Sequence, residues 1–400
     1  MRADGPAGDA RPLDPPIVTA YAVANALGAG ATEVAAALEA GTSGLRPCRL
    51  DVPFETAAGH FPGALEAPPP SLEPFDTRLV RIALATLDPL AGAIERATRR
   101  WGADRVAVVL GTSTGGILET ERALDARAAA GALPPGFDLE RRHAFHGLLE
   151  AVRRRTGARG PAYVVSTACS SSGKVLGSAR RLILGGRADA VLTGGVDTLC
   201  ETTLRGFRTL EALSSTPCRP FSAARDGISL GEGGAFLLVE REGEGPARLL
   251  GVGESSDAHH MSHPHPEGAG ARLAMAEALR QSGVAAERVD HVNAHGTGTP
   301  ANDVIEARAI AETIGTGALV ASTKGYTGHL LGAAGATEAV FAILAIERGV
   351  VPASLGAAPL DPAVTLELPL VARRRACRVV LSNSFAFGGS NVAVLLGSPS

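Results

Sequence analysis

The 400-residue sequence has little net charge of either sign. Its 38 lysines and arginines nearly balance 41 aspartates and glutamates, giving a formal net charge of −3 and no global attraction to nucleic acid or an anionic membrane surface. Its start also lacks the apolar run of a secretory signal, because residues 1–16 carry charges and prolines instead. We therefore expect a flexible N-terminal extension over residues 1–16 and a cytoplasmic protein.

Long apolar runs and cysteine are also scarce. The most apolar stretch, about residues 330–346, is shorter than the roughly 20 residues that span a membrane, and Glu338 lies in its middle. We interpret it as a buried helix. The five cysteines are odd in number and lack metal-ligand spacing, which predicts reduced thiols: Cys48, Cys169, Cys200, Cys218 and Cys377.

What the sequence does contain is a regular alternation of strand-like and helical segments, together with 45% hydrophobic residues. This pattern predicts an α/β protein with a large core. Strands are expected at 106–110, 163–166, 190–193, 289–293, 379–382 and 392–396, and helices near 271–281, 302–314 and 329–347. The charged segment 240–246 is the expected seam between two halves, at 17–244 and 245–400.

Cys169 is the first candidate for chemistry. It lies between a predicted buried strand and a predicted helix, in a turn of small residues. The free N–H groups at the start of that helix favour a thiolate, and small neighbours leave room for a thioester. Alternatively, Cys169 is a small buried apolar residue.

Two histidines occupy comparable junctions. His295 follows a predicted strand and precedes a turn of glycine and threonine, while His329 is expected at the start of the buried helix, close behind Lys324. A helix N-terminus disfavours the imidazolium, which predicts a neutral ring. Two neutral imidazoles beside a thiolate fit a reaction in which a carboxylate leaves as CO2 and an enolate oxygen needs hydrogen bonds. Each histidine could instead make a structural hydrogen bond.

These motifs together resemble the elongating β-ketoacyl synthases of types I and II, over about residues 17–397. The matching segments are TACSSS around Cys169, NAHGTGTPAND around His295, TKGYTGHLLGAAG around His329, and SNSFAFGGSN at 382–391. Further agreement lies in LTGGVD (192–197), EALSSTPCRPFSAARDG (211–227) and LGEGGAFLLVE (230–240). The resemblance implies the thiolase fold, a five-layered α-β-α-β-α arrangement of two pseudo-symmetric halves that assembles as a dimer.

The activity implied by the resemblance is a decarboxylative Claisen condensation, an acyltransferase reaction. Cys169 would take an acyl chain from the phosphopantetheine of an acyl carrier protein, and malonyl would arrive on the same carrier. His295 and His329 would stabilise the enolate formed on decarboxylation, and the chain would grow by two carbons. No metal and no cofactor beyond the carrier's phosphopantetheine is expected.

Other residue roles are also implied by the resemblance. Lys324 would organise the site, paired with Glu338 because a carboxylate on an apolar helix rarely stays unpaired. The backbone N–H groups of Cys169 and Phe387 would form an oxyanion hole, with Phe387 on a mobile gating loop. Thr297 and Thr299 are expected to contact the pantetheine arm. The acyl chain is expected to contact Thr114, Phe207, Phe385 and Gly388. The carrier is expected to dock on Arg78 and Arg81.

Three departures from the family pattern leave the acyl specificity open. Ala386 replaces a usual glycine in the gating loop, Ala20 follows Thr19 where glycine is common, and Thr114 replaces an aliphatic residue or glycine. If the Thr114 hydroxyl faces the ligand, unsaturated or partly oxidised chains would be tolerated, but the hydroxyl could also bond the backbone. Elongation of fatty-acid chains and elongation of polyketide or polyene chains therefore both stay open.

Three alternative functions remain. The chain could be the active subunit of a heterodimer with a chain-length factor. A silent chain-length partner would have lost the nucleophile, which this chain retains. A thiolase would need a second cysteine in the C-terminal glycine-rich loop, which has none. The four histidines in 257–268 are read as a surface loop near the site entrance rather than a metal site.

Overall fold

The computed structural model describes residues 14–399, so the extension predicted over 1–16 lies almost wholly outside the described residues. The strands are β1 (Ile17–Ala24), β2 (Leu45–Pro47), β3 (Ala57–Gly59), β4 (Val106–Gly111), β5 (Ala162–Val165), β6 (Ala190–Asp197), β7 (Leu230–Gly231), β8 (Gly233–Glu240), β9 (Ala247–Ser256), β10 (His291–Asn293), β11 (Leu319–Ala321), β12 (Val350–Val351), β13 (Arg373–Arg374), β14 (Val379–Ala386) and β15 (Ser390–Gly397).

The α-helices alternate with these strands, as the sequence predicts. They are α1 (Ala31–Ala40), α2 (Arg78–Leu87), α3 (Ala91–Trp101), α4 (Ile117–Ala130), α5 (Leu139–Arg142), α6 (Phe145–Thr156), α7 (Ser171–Leu184), α8 (Glu201–Thr209), α9 (Ala269–Ser282), α10 (Asn302–Thr313), α11 (Lys324–Thr327) and α12 (Ala334–Arg348). No helix within residues 14–399 combines the length and apolar character required to cross a membrane.

The strand order shows that the two halves of the chain repeat one topology. The first half is ordered β5-β4-β6-β8-β1 and the second β11-β10-β14-β15-β9. In each half, the first three strands of this order run parallel to one another. The fourth strand pairs antiparallel with the third, and the fifth pairs antiparallel with the fourth. The halves join where β1 pairs β9 through two residues, and segment 240–246 connects β8 to β9. This repetition confirms the two pseudo-symmetric halves.

Three helical layers cover the two halves of the sheet and complete the five-layered arrangement. Helices α7 and α12 lie in the middle layer, α2, α3 and α6 cover the outside of the first half, and α9 and α10 cover the second. The two central helices approach closely at Gly173 and Gly335, where a Cβ on Gly335 would stand 2.5 Å from the Gly173 nitrogen. Both helices start near one end of the sheet, which brings the predicted motifs together.

Two segments differ from the sequence prediction. The strand predicted at 163–166 as buried is β5, the edge strand of the sheet, and Tyr163 is 37% exposed. The helix predicted from 329 begins as a 3-10 turn at Leu331–Ala333 and continues as α12 from Ala334. The reason is local: Gly328 and Leu331 both have positive φ, 72° and 53°, which no α-helix accommodates.

Candidate active site

Cys169 lies in the turn between β5 and α7, as predicted. Ala168 before it has φ 52°, a conformation that costs a residue with a Cβ about 1 kcal/mol or more. The Thr167 N–H donates to Ser171 Oγ at 2.9 Å and Ser171 Oγ donates to the Ala168 carbonyl, which holds the turn closed. The thiol side chain, 7% exposed, lines a cavity of about 270 Å³.

Burial raises the pKa of the Cys169 thiol to about 11. The Lys324 cation and the Phe387 backbone N–H lower the same pKa, but they do not offset the loss of hydration. Burial therefore disfavours the charge more than these two neighbours stabilise it, and a pKa of about 11 corresponds to a thiol at neutral pH. The contribution of the helix start, on which the predicted thiolate depends, stays a prediction.

His295 and His329 line the same cavity as Cys169. His295 follows β10, and its backbone N–H donates to Glu306 Oε1 at 2.7 Å. His329 lies in the turn after α11, where its N–H donates to the Ser229 carbonyl at 2.7 Å and its carbonyl accepts from Gly231 at 2.9 Å. The two ring centroids are 5.3 Å apart and the rings are nearly perpendicular, at 84°.

Both imidazoles are neutral. Burial lowers the pKa of each well below its usual value and the nearby Lys324 cation lowers it further. The neutral state agrees with the prediction, but its cause for His329 does not, since this residue is not at a helix start. Within residues 14–399, Nδ1 of His295 and both ring nitrogens of His329 have no hydrogen-bond partner. Buried polar atoms without partners in a cavity are available to a bound ligand.

The Lys324 ammonium donates to Glu338 Oε1 at 2.6 Å, which confirms the predicted pair. Both side chains are buried, so water screens this cation little. The single charge therefore lowers the pKa of Cys169, His295 and His329 alike. Together with burial it keeps the imidazoles uncharged, and it partly compensates the effect of burial on the pKa of the thiol.

The predicted gating loop closes one side of the cavity. Phe385 and Phe387 line it, and the Phe387 ring stands 5.6 Å from that of Phe207, which also lines it. Gly388 itself does not line the cavity. Its φ of 79° instead permits the tight turn, and its N–H donates to the Met261 carbonyl at 2.8 Å.

Two of the remaining predicted contacts lie in the cavity wall. Thr297 and Thr299 both line the cavity, with their hydroxyl oxygens 2.9 Å apart. Thr114 does not. Its buried hydroxyl donates to Asp197 Oδ1 at 2.6 Å, and its N–H donates to the same oxygen at 2.9 Å. The expectation that this hydroxyl lies beside the acyl chain is wrong, because the hydroxyl already donates its hydrogen bond to the buried Asp197 carboxylate.

Arg78 and Arg81, predicted to dock the carrier, bind carboxylates of their own chain. Arg78 Nε donates to the buried Glu232 at 2.9 Å, and Arg81 makes two bonds to Asp76, at 2.6 and 2.7 Å. Neither residue lines the cavity. Since each positive charge is compensated locally, this helix offers less attraction to an acidic partner than its sequence indicated, and the docking role stays a prediction.

Two buried acids in the first turns of α10 were not assigned a role from the sequence. Glu306 accepts the N–H groups of His295 and Gly296, and burial raises its pKa to about 7. Asp303 accepts the N–H groups of Phe221 and Gly298. The sequence does contain a signal for these two acids. They lie three residues apart at a helix start, directly after the glycine–threonine turn, and can accept the unpaired N–H groups of that turn.

The histidine-rich segment 257–268 is a surface loop at the cavity entrance, as predicted. Ser262, His263 and Pro264 line the cavity, and Met261 is exposed. The ring nitrogens Nδ1 of His260 and His263 are 3.2 Å apart. In the part of the chain that the structure describes, no three histidine, cysteine or acidic side chains are placed to hold a metal ion.

Comparison with known sequences agrees with this geometry. The sequence model of "Beta-ketoacyl synthase, N-terminal domain" matches residues 17–244 and that of "Beta-ketoacyl synthase, C-terminal domain" matches 246–358. The 3-oxoacyl-[acyl-carrier-protein] synthase 2 of Coxiella burnetii is 35% identical over 95% of this chain and 97% of its own length. The mitochondrial 3-oxoacyl-[acyl-carrier-protein] synthase of Arabidopsis thaliana is 42% identical over 62% of this chain and 58% of its own.

A solved structure has the same fold over nearly the whole length. It is a ketosynthase (ApeO) in complex with its chain length factor (ApeC) from Xenorhabdus doucetiae. The match has a TM-score of 0.89 and 36% sequence identity, and it covers 96% of this chain and 98% of the other.

Proposed function

Because this chain belongs to the β-ketoacyl synthase family, and is thus a chain-elongating acyltransferase that forms carbon–carbon bonds, we propose specific roles for its cavity residues. Cys169 carries the growing acyl chain as a thioester, and His295 and His329 act on the extender unit. The observation that carries this proposal is that the Cys169 thiol shares one cavity with two buried, neutral imidazoles.

In the first half-reaction the Cys169 sulfur attacks an acyl thioester on the carrier's phosphopantetheine. The acyl carbon–sulfur bond to the carrier breaks, and the proton of the thiol passes to the departing pantetheine sulfur. The high pKa of Cys169 means that the proton leaves during this step rather than before it. The backbone N–H groups of Phe387 and Cys169, both of which lower the pKa of the thiol, stabilise the developing oxyanion in this proposal.

In the second half-reaction malonyl on the carrier loses CO2, and the electron pair of the broken bond forms a thioester enolate. His295 and His329 are neutral imidazoles with one ring N–H each, and each donates one hydrogen bond to the enolate oxygen from a ring nitrogen that has no partner among the described residues. The enolate carbon then attacks the acyl-Cys169, and the released sulfur takes up a proton. Thr297 and Thr299 bind the pantetheine arm, and the reaction needs no further cofactor.

The test separates the two half-reactions in His295→Ala and His329→Ala. We expect decarboxylation of a malonyl thioester to fall on the order of 10²–10³-fold, because the enolate loses a donor in a water-poor site. Self-acylation of Cys169 should fall less than about tenfold, since the thiol attack does not use these donors. Released CO2 and protein-bound acyl groups are measured separately.

The matched control is His263→Ala, which removes an imidazole from the cavity entrance and should leave both rates unchanged. Comparable losses of acylation and decarboxylation in the two buried-histidine variants would contradict the assigned roles.

We also propose a partner chain: a second copy of this protein or a homologue resembling a chain-length factor. Two observations support it. Strand β5 lies at an edge of the sheet with Tyr163 partly exposed, and the related ketosynthase from Xenorhabdus doucetiae was solved with its chain length factor. The substrates come on an acyl carrier protein, in fatty-acid or polyketide chain elongation.

A further inference from the structure

Arg225 connects three loops that lie outside any helix or strand. It belongs to segment 211–227, and its side chain is only 8% exposed. Nη1 donates to the Asp361 carboxylate at 2.6 Å and to the Ser222 carbonyl at 2.9 Å. A charge-assisted bond of this kind, partly shielded from water, is stronger than the fully exposed ion pairs elsewhere on the chain.

The other nitrogens of the same guanidinium hold the cavity wall. Nε donates to the Thr299 carbonyl at 3.1 Å and Nη2 to the Pro300 carbonyl at 3.2 Å. Thr299 and Pro300 both line the cavity that holds Cys169. A guanidinium can bond a carboxylate and three carbonyls at once because its donors lie in one rigid plane, which an ammonium cannot reproduce.

The other supports of the wall lie on its inner side, where the Thr299 hydroxyl bonds that of Thr297 at 2.9 Å and accepts the Asn302 N–H at 3.3 Å. Gly298, with φ 82°, rests against Gly227, whose N–H donates to its carbonyl at 3.0 Å. Its own N–H is accepted by Asp303. The carbonyls of Thr299 and Pro300 are held by Arg225, and Arg225 is oriented by its bond to the Asp361 carboxylate.

We propose that Arg225, oriented by Asp361, is a positioning residue that fixes the Thr297–Pro300 wall for binding of the substrate's pantetheine arm. It does not touch the reacting atoms. This inference rests on the proposed function, since it takes Thr297 and Thr299 as contacts of that arm. Loss of Arg225 should therefore weaken substrate binding and leave the chemistry at Cys169 unchanged.

The experiment uses Arg225→Lys in the full chain with octanoyl-pantetheine as the acyl donor. The lysine can still pair with Asp361 but cannot also hold both carbonyls. We expect KM for octanoyl-pantetheine to rise about tenfold, with kcat changed less than about twofold, because a shifted wall costs binding rather than chemistry. Alkylation of Cys169 by iodoacetamide and the melting temperature should match wild type.

Arg105→Lys is the control, since Arg105 also binds a carboxylate (Asp189, 2.6 Å) and a backbone carbonyl (Gly186, 3.0 Å), but Gly186 is not part of the cavity wall. Its KM should not change. Thr299→Val tests the pantetheine contact separately from the role of Arg225. If KM rises in Thr299→Val but is normal in Arg225→Lys, the role of Arg225 is overturned and the pantetheine contact stands. If KM is normal in both variants, the proposed pantetheine contact is overturned. Parallel losses of kcat, alkylation and melting temperature in Arg225→Lys would show a general structural role and also overturn it.

Discussion

At the scale of single residues, burial and one buried cation together set the charge state of the site. Lys324 lowers the pKa of both imidazoles and opposes the effect of burial on Cys169. Its charge is tolerated because Glu338 lies 2.6 Å away. The site thus holds neutral donors for an enolate and a protonated nucleophile, rather than the preformed thiolate that the helix start alone indicated.

The protonated nucleophile has a measurable consequence. Because the thiolate is the reactive form and the Cys169 pKa is about 11, its alkylation by iodoacetamide should rise about tenfold per pH unit between roughly pH 7 and 10. The rate is followed by peptide mass mapping, with Cys169→Ser as the blank for other cysteines. A plateau already above about pH 7 would mean that the helix start does stabilise the thiolate.

Thr114 was correctly recognised as a departure from the family pattern, but its predicted contact with the acyl chain was wrong. Its departure from the family pattern is visible in the sequence, but the position of Asp197, 83 residues away, is not. Asp197 gathers the hydroxyls of Thr112, Ser113 and Thr114, and burial raises its pKa. The turn is therefore polar because it binds this carboxylate, and the acyl-chain preference needs another explanation.

At the scale of elements, β5 leads into the nucleophile's turn and also forms an edge of the sheet. An unpaired edge strand can pair with a strand of another chain. We expect the wild type to sediment as a dimer and Tyr163→Asp, which adds a charge to this edge, to weaken the dimer at least about tenfold. Tyr163→Phe, which keeps the ring, is the control. Equal sedimentation of the three proteins would place the interface elsewhere.

The helices were located well from periodicity, and the starts of α9 and α10 agree within two residues, but the start of α12 does not. The apolar pattern of α12 begins at residue 330, which made His329 look like its first residue. In the structure His329 is held by Ser229 and Gly231, residues about a hundred positions earlier. Periodicity reports which face of a segment is buried and cannot report a backbone bond to a distant loop.

At the scale of the whole molecule, the alternation of strands and helices predicted an α/β fold, and only the family resemblance supplied its five layers. The residues assigned to the chemistry, Cys169, His295 and His329, were found because each lies in a distinctive motif. Those that support them, such as Asp361, Glu306 and Asp197, were not. Their role depends on which loops the folded chain brings together, and no local pattern records that.

Intact-mass measurement tests most directly whether Cys169 carries the acyl chain. The wild type incubated with an octanoyl carrier should gain the mass of one octanoyl group, mapped to the peptide of Cys169. Cys169→Ala, with unchanged circular dichroism, should gain none, because the substitution removes the nucleophile and little packing volume. Acylation of the alanine variant, or of a wild-type peptide that lacks Cys169, would contradict the assignment of Cys169 as the nucleophile.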